Sequence, residues 1–487
     1  MKKIKVLFAA AELTPLAKVG GLADVVGALP KALAAHGVDV RVVIPRYSII
    51  SLDTLPHRVV AENVTVPFAH TTERVTIIET TLPGSSVPLW LIDHERYLGR
   101  DGVYPSPEVV AETTRFSFFS TAVLSLFNAV DWWPDIVHCH DWHTSMIPVL
   151  MKILGAKDSR LRGIRTLLTI HNLALQGMQA ADELFDQMGI STSDLPQLSQ
   201  RDSTGTHIIQ LVQGILAADR LTTVSPNYAK EIMTPEYGAG LEKIIASRSQ
   251  ALSGILNGID DVRFDPEDDP DIAYHFSVND LSDKKNNKQA LQTMCGLPVQ
   301  EHIPTIGIIS RLTDQKGIDL VESVGDTLLT KPLQLAVLGA GAKGLELGLQ
   351  KLAQRHSGNA YVRIGFDAAF AQKIYAGADM FLMPSKFEPC GLGQMIAMRY
   401  GTVPIVRATG GLVDTVENID AAGNGDGICF TQYSGSELLN AVDRALALYQ
   451  NNKVWHTVVQ RIMVKDFSWS ASSRKYIDLY RALIEKI

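Results

Sequence analysis

The chain has 487 residues, too many for a single hydrophobic core, so two large domains or more are expected. A hydrophobic fraction of 46% with 20% charged residues is that of a soluble globular enzyme, and a net charge of −7 argues against a nucleic-acid partner while suiting a neutral polymer. Cys139, Cys295, Cys390 and Cys429 form no CxxC pair, which fits a reducing cytoplasm and no structural zinc, and no apolar run is long enough to span a membrane.

The opening Met1-Lys-Lys-Ile-Lys has the charge of a signal peptide, but the apolar run from Val6 to Ala11 is too short and ends at Glu12. Ile4–Ala10 therefore reads as a strand, Leu22–Ala35 as a helix and Val38–Ile44 as the next strand. Ile136–Cys139, Thr166–Ile170 and Leu221–Val224 are further short strands, and the alternation with helices predicts a doubly wound parallel sheet. A Pro- and Asp-rich stretch from Asn257-Gly-Ile-Asp260 to Asp271 reads as a linker. The pattern then restarts with strands at Thr305–Ser310, Leu333–Leu338, Tyr361–Ile364, Met380–Met383 and Val403–Val406, and Ser470–Ile487 reads as an amphipathic helix. The expectation is an α/β chain of two Rossmann-like domains whose strand ends line the walls of one cleft.

Four kinds of loop carry chemistry. Phe381–Leu392 reads as strand, tight loop and helix start, with Glu388 beside the amides of Cys390, Gly391 and Leu392. Helix N-terminal amides bind phosphate and a carboxylate accepts sugar hydroxyls, so the loop suits a ligand with sugar next to phosphate, unless Glu388 merely caps the helix. Lys18-Val-Gly-Gly-Leu22 sets a cation beside backbone amides that glycine leaves open, either for an anion or as a plain turn. Ser310–Gly317 carries Arg311 and Lys316, two cations able to neutralise a departing diphosphate or simply solvated. Gly339-Ala-Gly-Ala-Lys-Gly344, with Asp367 beyond the next strand, matches the dinucleotide fingerprint and keeps an NAD-dependent oxidoreductase in view, although no hydride-transfer partners stand out.

His138-Cys-His-Asp-Trp-His143 has the residue types of a metal cluster, with His138 and His140 on one strand face, but no matching second ligand group is found elsewhere. A strand end that presents Asp141 and His143 is the other reading, and His171-Asn172 repeats the theme after the strand Thr166–Ile170.

Taken together these loops resemble those of the bacterial glycogen (starch) synthases, retaining glucosyltransferases of GT-B architecture. Lys18–Asp24, His138–His143, His171–Leu173, Thr223–Pro226, Asn257–Asp260, Ser310–Gly317, Pro384–Leu392 and Thr409–Leu412 match family segments in order and spacing nearly end to end. The resemblance implies an acceptor-side domain over 1–257 completed by a C-terminal helix at 468–487, and a nucleotide-sugar domain over 258–467. It implies transfer of glucose from ADP-glucose to the non-reducing end of an α-1,4-glucan such as glycogen, with no cofactor, metal, nucleic acid or membrane partner. By the same resemblance Glu388 would bind donor-sugar hydroxyls, Asp141 and His171 would face the sugar, and Arg311 and Lys316 would stabilise the leaving ADP. Gly20, Gly391 and Leu392 would offer amides with Lys18 nearby. Gly21, Asp24, Asn257 and Cys390 join the substrate-binding set, and Phe366 would stack on adenine unless it is a core aromatic. The chain departs from the family pattern where Ile396 replaces the second of two glutamates eight positions apart, where Gln213 replaces a usual lysine in an aromatic-poor Thr204–Ile215, and where Ala342 replaces a common acidic residue. The missing glutamate implies a same-face mechanism in place of a double displacement.

Overall fold

Short runs of β-branched and aliphatic residues, each followed by a polar or glycine-rich loop and an amphipathic helix, dictate parallel strands with right-handed crossovers. The computed structural model describes residues 3–100, 102–104 and 111–485. The end of the expected final helix, residues 486–487, lies outside them, and the helix itself is Trp469–Ile484.

Two compact units emerge. One contains the described residues up to 224, residues 229–258 and the described residues from 469 onward, and the other contains residues 225–228 and 259–468. The first unit holds a nine-stranded sheet in the order Leu252–Gly254, Arg220–Thr223, Arg165–Ile170, Ile136–His140, Lys5–Ala9, Asp39–Pro45, Pro88–Asp93, Thr71–Thr81 and Arg58–Phe68. The first seven are parallel, and the last two are added by antiparallel pairings, a hairpin extension that the sequence reading omits. Trp469, Tyr476, Ile477, Tyr480 and Leu483 of the final helix enter the same apolar cluster as Leu22, Val25 and Leu29 of the helix Gly21–Ala35. Ser472 donates from Oγ to the Leu256 carbonyl at 2.6 Å, fixing that helix end.

The second unit holds six parallel strands in the order Ala360–Ile364, Gln334–Gly339, Thr305–Ile309, Met380–Met383, Val403–Arg407 and Ile428–Phe430. The stretch expected to be a linker packs onto this unit. Asp269 is buried, accepting from Tyr400 Oη and Gln372 Nε2 at 2.5 Å each, and Arg399 reaches Asp265 at 2.8 Å. Its proline and aspartate content reads as solvent-loving, but three side chains from the second unit satisfy two of those aspartates. Among the described residues no helix is long and apolar enough to cross a membrane.

Candidate active site

In the second unit, Thr305–Ile309 and Met380–Met383 lie side by side while their onward connections run in opposite directions across the sheet. A parallel sheet opens for ligands at such a switch point, at the carboxyl ends of the strands. The loops 310–317 and 384–392 leave those two ends and are braced by the Lys386 amide donating to the Gln315 carbonyl at 2.9 Å.

Lys316 Nζ donates to both carboxylate oxygens of Glu388, at 2.9 and 2.6 Å, and Ser385 Oγ donates to the same carboxylate at 3.0 Å. Glu388 is buried, and a buried charge demands such a partner. The cap reading of Glu388 is thereby set aside, since its oxygens are engaged by Lys316 and Ser385 and the following helix begins only at Gly393. Lys316 and Glu388, assigned separate tasks from the sequence, are one ion pair here. Arg311 is exposed, bonds only Gln315 Oε1 at 2.9 Å, and makes no ion pair among the described residues. The amides of Gly391 and Leu392 donate to nothing among the described residues, while Cys390 between them and Glu388 is buried. This switch point therefore gathers a guanidinium with no ion pair, two amides with no acceptor among the described residues and a compensated Lys–Glu pair. Ile396, in place of a second glutamate, is buried in the helix Gly393–Arg399.

The loop is held from behind. Gly410 has φ +48°, and a Cβ there would stand 1.9 Å from the Glu388 carbonyl oxygen, which accepts the Gly411 amide at 3.0 Å. Ser225 Oγ, of the same unit, donates to the Pro389 carbonyl at 2.7 Å.

The dinucleotide fingerprint has a different explanation. A Cβ on Gly341 would lie 2.2 Å from the Leu312 carbonyl oxygen, and the two residues form a parallel bridge, so this glycine serves the approach of the Arg311 loop. Asp367 caps the helix Ala368–Gly377 by accepting the Phe370 amide at 2.8 Å and pairs with Arg363, and is thus committed to structure where a ribose ligand would need it free. Phe366 is 88% exposed, which removes the core-aromatic reading and leaves a ring face available for stacking.

The first unit has its own switch point, between Lys5–Ala9 and Ile136–His140. After the former, the buried Glu12 accepts the Val19 and Gly20 amides at 2.9 and 2.6 Å, and Tyr104 Oη donates to its other oxygen at 2.5 Å. Gly20, expected to offer its amide to a ligand, gives it to Glu12, and Lys18 pairs with Asp24 at 2.7 Å. Gly21 is the first residue of the helix Gly21–Ala35, and Asp24 also accepts from Thr14 Oγ1 at 3.1 Å.

After Ile136–His140, Asp141 adopts φ +56°, ψ −172°, a backbone conformation that costs a non-glycine residue about 1–3 kcal/mol and persists where surroundings over-determine it. Its Oδ1 accepts the His171 amide at 2.6 Å and the Asn172 amide at 3.4 Å, so one carboxylate positions the second loop. Burial pushes the Asp141 carboxyl up to about 7 against the pull of those amides, and the Glu12 charge adds to the rise. His138 and His140 stack at 4.3 Å on the same face, as alternation predicts. His138 is spoken for by Tyr480 Oη at 2.8 Å and Thr169 Oγ1 at 2.6 Å. His140 Nδ1 and His171 Nε2 lie 3.0 Å apart. Burial drives all the histidines of this cluster toward the neutral form, with His143 and His171 held near 3. Asn257 is buried with its Oδ1 unpartnered among the described residues, and Gln213 is fully buried, so the departure at 213 is an interior one.

The sequence reading missed Glu12, Tyr104 and Ser385 as members of these constellations, and it weighed His140 only as a metal ligand. Glu12 had a usable signal, a lone carboxylate directly after an apolar strand, the pattern that singled out Glu388.

Comparison with known proteins adds an independent line. Residues 5–247 match the family described as starch synthase catalytic domain, and residues 297–457 match glycosyl transferases group 1. A glycogen synthase of Clostridium perfringens is 41% identical over 99% of both chains, and one of Geotalea daltonii is 42% identical over 99% of both. The solved catalytic domain of starch synthase IV from Arabidopsis thaliana, bound to ADP and acarbose, is 34% identical over 99% of this chain and 100% of its own, with a TM-score of 0.90.

Proposed function

Since this chain belongs to the glycogen synthase family of glycosyltransferases and has its two-domain GT-B fold, we propose that it transfers glucose from ADP-glucose to the non-reducing end of an α-1,4-glucan in the cytoplasm, with retention and without a metal. The observation that carries this reading is the switch point of the second unit, where Arg311, Lys316 and the Gly391 and Leu392 amides converge on a site that also offers Glu388. Negative charge grows on the diphosphate as the glycosidic bond breaks, and fixed cations and amides aimed there lower the barrier without reorganising. Arg311 is free to take phosphate oxygens with two donors. Lys316 must divide its attraction, so an arriving diphosphate draws on the Lys316–Glu388 pair and frees Glu388 for sugar hydroxyls. Phe366 supplies a face for the adenine, which fits the ADP bound by the Arabidopsis enzyme.

By the family resemblance the His171 carbonyl steadies positive charge at the anomeric carbon, and Asp141 accepts the N–H of that same peptide, from Asn172, at 3.4 Å. The acceptor hydroxyl attacks on the face that ADP leaves, and a diphosphate oxygen takes its proton. Glu388 binds and does not bond, because position 396 offers no second carboxylate to complete a double displacement. A glucosyl adduct trapped on Glu388 and seen by mass spectrometry would overturn this step.

The direct test supplies ADP-glucose or UDP-glucose with glycogen and follows nucleotide release and chain growth. Growth with ADP-glucose is expected. Nucleotide release without growth would refute the synthase and leave a transferase for another acceptor, and a preference for UDP-glucose would refute the donor assignment.

A further inference from the structure

His140 sits next to a proposed catalytic residue and takes no part in the chemistry described above. Its Nδ1 is 3.0 Å from His171 Nε2, with the two rings 5.2 Å apart and tilted by 33°. Its other nitrogen, Nε2, is buried and has no hydrogen-bond partner among the described residues. The ring stacks on Phe8 at 5.1 Å and on His138 at 4.3 Å, and those two rings also touch each other at 4.6 Å. Both His140 and His171 are neutral in this setting, because burial disfavours the charged form of each. A neutral imidazole has one N–H and one lone pair, so their contact contains a single proton and has two possible directions.

If His171 donated from Nε2, His140 would accept at Nδ1 and would carry its own proton on Nε2. That would bury an N–H with no acceptor, the rarer and costlier kind of orphan. If His140 donates from Nδ1, the orphan is only a lone pair lying among ring carbons. The second direction is favoured, and it has a consequence one residue further on. His171 then accepts at Nε2 and must hold its proton on Nδ1, the nitrogen that has no partner among the described residues.

We propose that His140 is a positioning residue that locks His171 in the Nδ1–H tautomer, so that the free edge of His171 is a hydrogen-bond donor suited to a sugar hydroxyl oxygen. The lock has two parts. Asp141 fixes the His171 peptide through its amide, and His140 fixes the ring and the place of its proton. The choice of a sugar hydroxyl rests on the glucosyltransferase reading, whereas the tautomer follows from the protein alone.

The test separates the two. In wild-type protein labelled with 15N-histidine, with His171 assigned by the loss of its signals in His171→Gln, the expected spectrum has a protonated Nδ1 and a bare Nε2. A protonated His171 Nε2 would overturn the proposal whatever the activity. His140→Leu removes the donor and should lower kcat by about 10–100-fold, the scale of a small misplacement of a reacting group, with less change in the KM for ADP-glucose. His140→Gln keeps an N–H that can reach Nε2 and should recover most of that loss. Equal losses in both variants would reduce His140 to a packing residue and overturn the proposal. Failure of the wild type to turn over ADP-glucose would remove the sugar hydroxyl as ligand and leave the spectroscopic result standing.

Discussion

Removing either member of the Lys316–Glu388 pair should have two separable consequences. Lys316→Ala leaves a buried carboxylate without its counter-ion and is expected to cost up to about 3 kcal/mol of unfolding free energy, read by denaturant titration. Combining it with Glu388→Gln should restore part of that stability while activity stays low, a non-additive result that marks a direct contact. Glu388→Ala alone should reduce turnover by about a hundredfold, and near-normal turnover would refute its assigned role. Asp141 offers a pH handle. With its carboxyl near 7, the ionised form that grips two backbone amides gains ground as pH rises through neutrality, so kcat should climb through about pH 7. That limb should vanish in Asp141→Asn, and a profile unchanged by the substitution would count against Asp141 as its source. Glu388 drew notice as a lone carboxylate after a strand, and Asp141 because it ends one amid histidines. Partnerships were not legible: nothing local says that Lys316 spans 72 positions to Glu388, or that Glu12 would occupy the very amides of Val19 and Gly20 that the glycine motif advertised.

At the scale of elements, the loops work because a second layer of backbone holds them. Gly410→Ala would drive a methyl into the Glu388 carbonyl from a left-handed backbone, so the loop must move although residue 410 has no chemical task. A fall in kcat with retained secondary structure is expected from kinetics and circular dichroism, and unchanged kcat would show that the loop absorbs the methyl. The parallel strands were readable because apolar runs ending in glycine or a polar cluster leave little choice. The hairpin Arg58–Phe68 and Thr71–Thr81 was not, since its exposed outer strand alternates weakly. The stretch after Asp260 misled for the converse reason, because its polar side chains are satisfied by partners more than a hundred residues away.

For the molecule as a whole, the buried histidine cluster ties stability to acidity. His138, His140, His143 and His171 have folded-state values depressed below the usual 6.5, two of them to about 3. Their contribution is therefore present above about 6.5 and lost as pH falls below it, for His143 and His171 down to about 3 and by about 1.4 kcal/mol per pH unit each. Asp141, raised to about 7, acts in the opposite sense between about 3.8 and 7, but it is one group against four. Chemical denaturation at pH 7.5, 6 and 5 should show falling stability, and a flat series would contradict the burial of the cluster. The final helix bears on the protein's history as well as its stability. A ribosome delivers residues 5–258 first, yet the core they form lacks Trp469, Tyr476 and Tyr480 until the last turns of Trp469–Ile484 have emerged. The second unit, whose six strands are all translated by residue 430, can close while synthesis continues. The unit whose strands are made first thus waits for a helix made after the second unit, and His138 meets Tyr480 only once residues 259–468 have been synthesised.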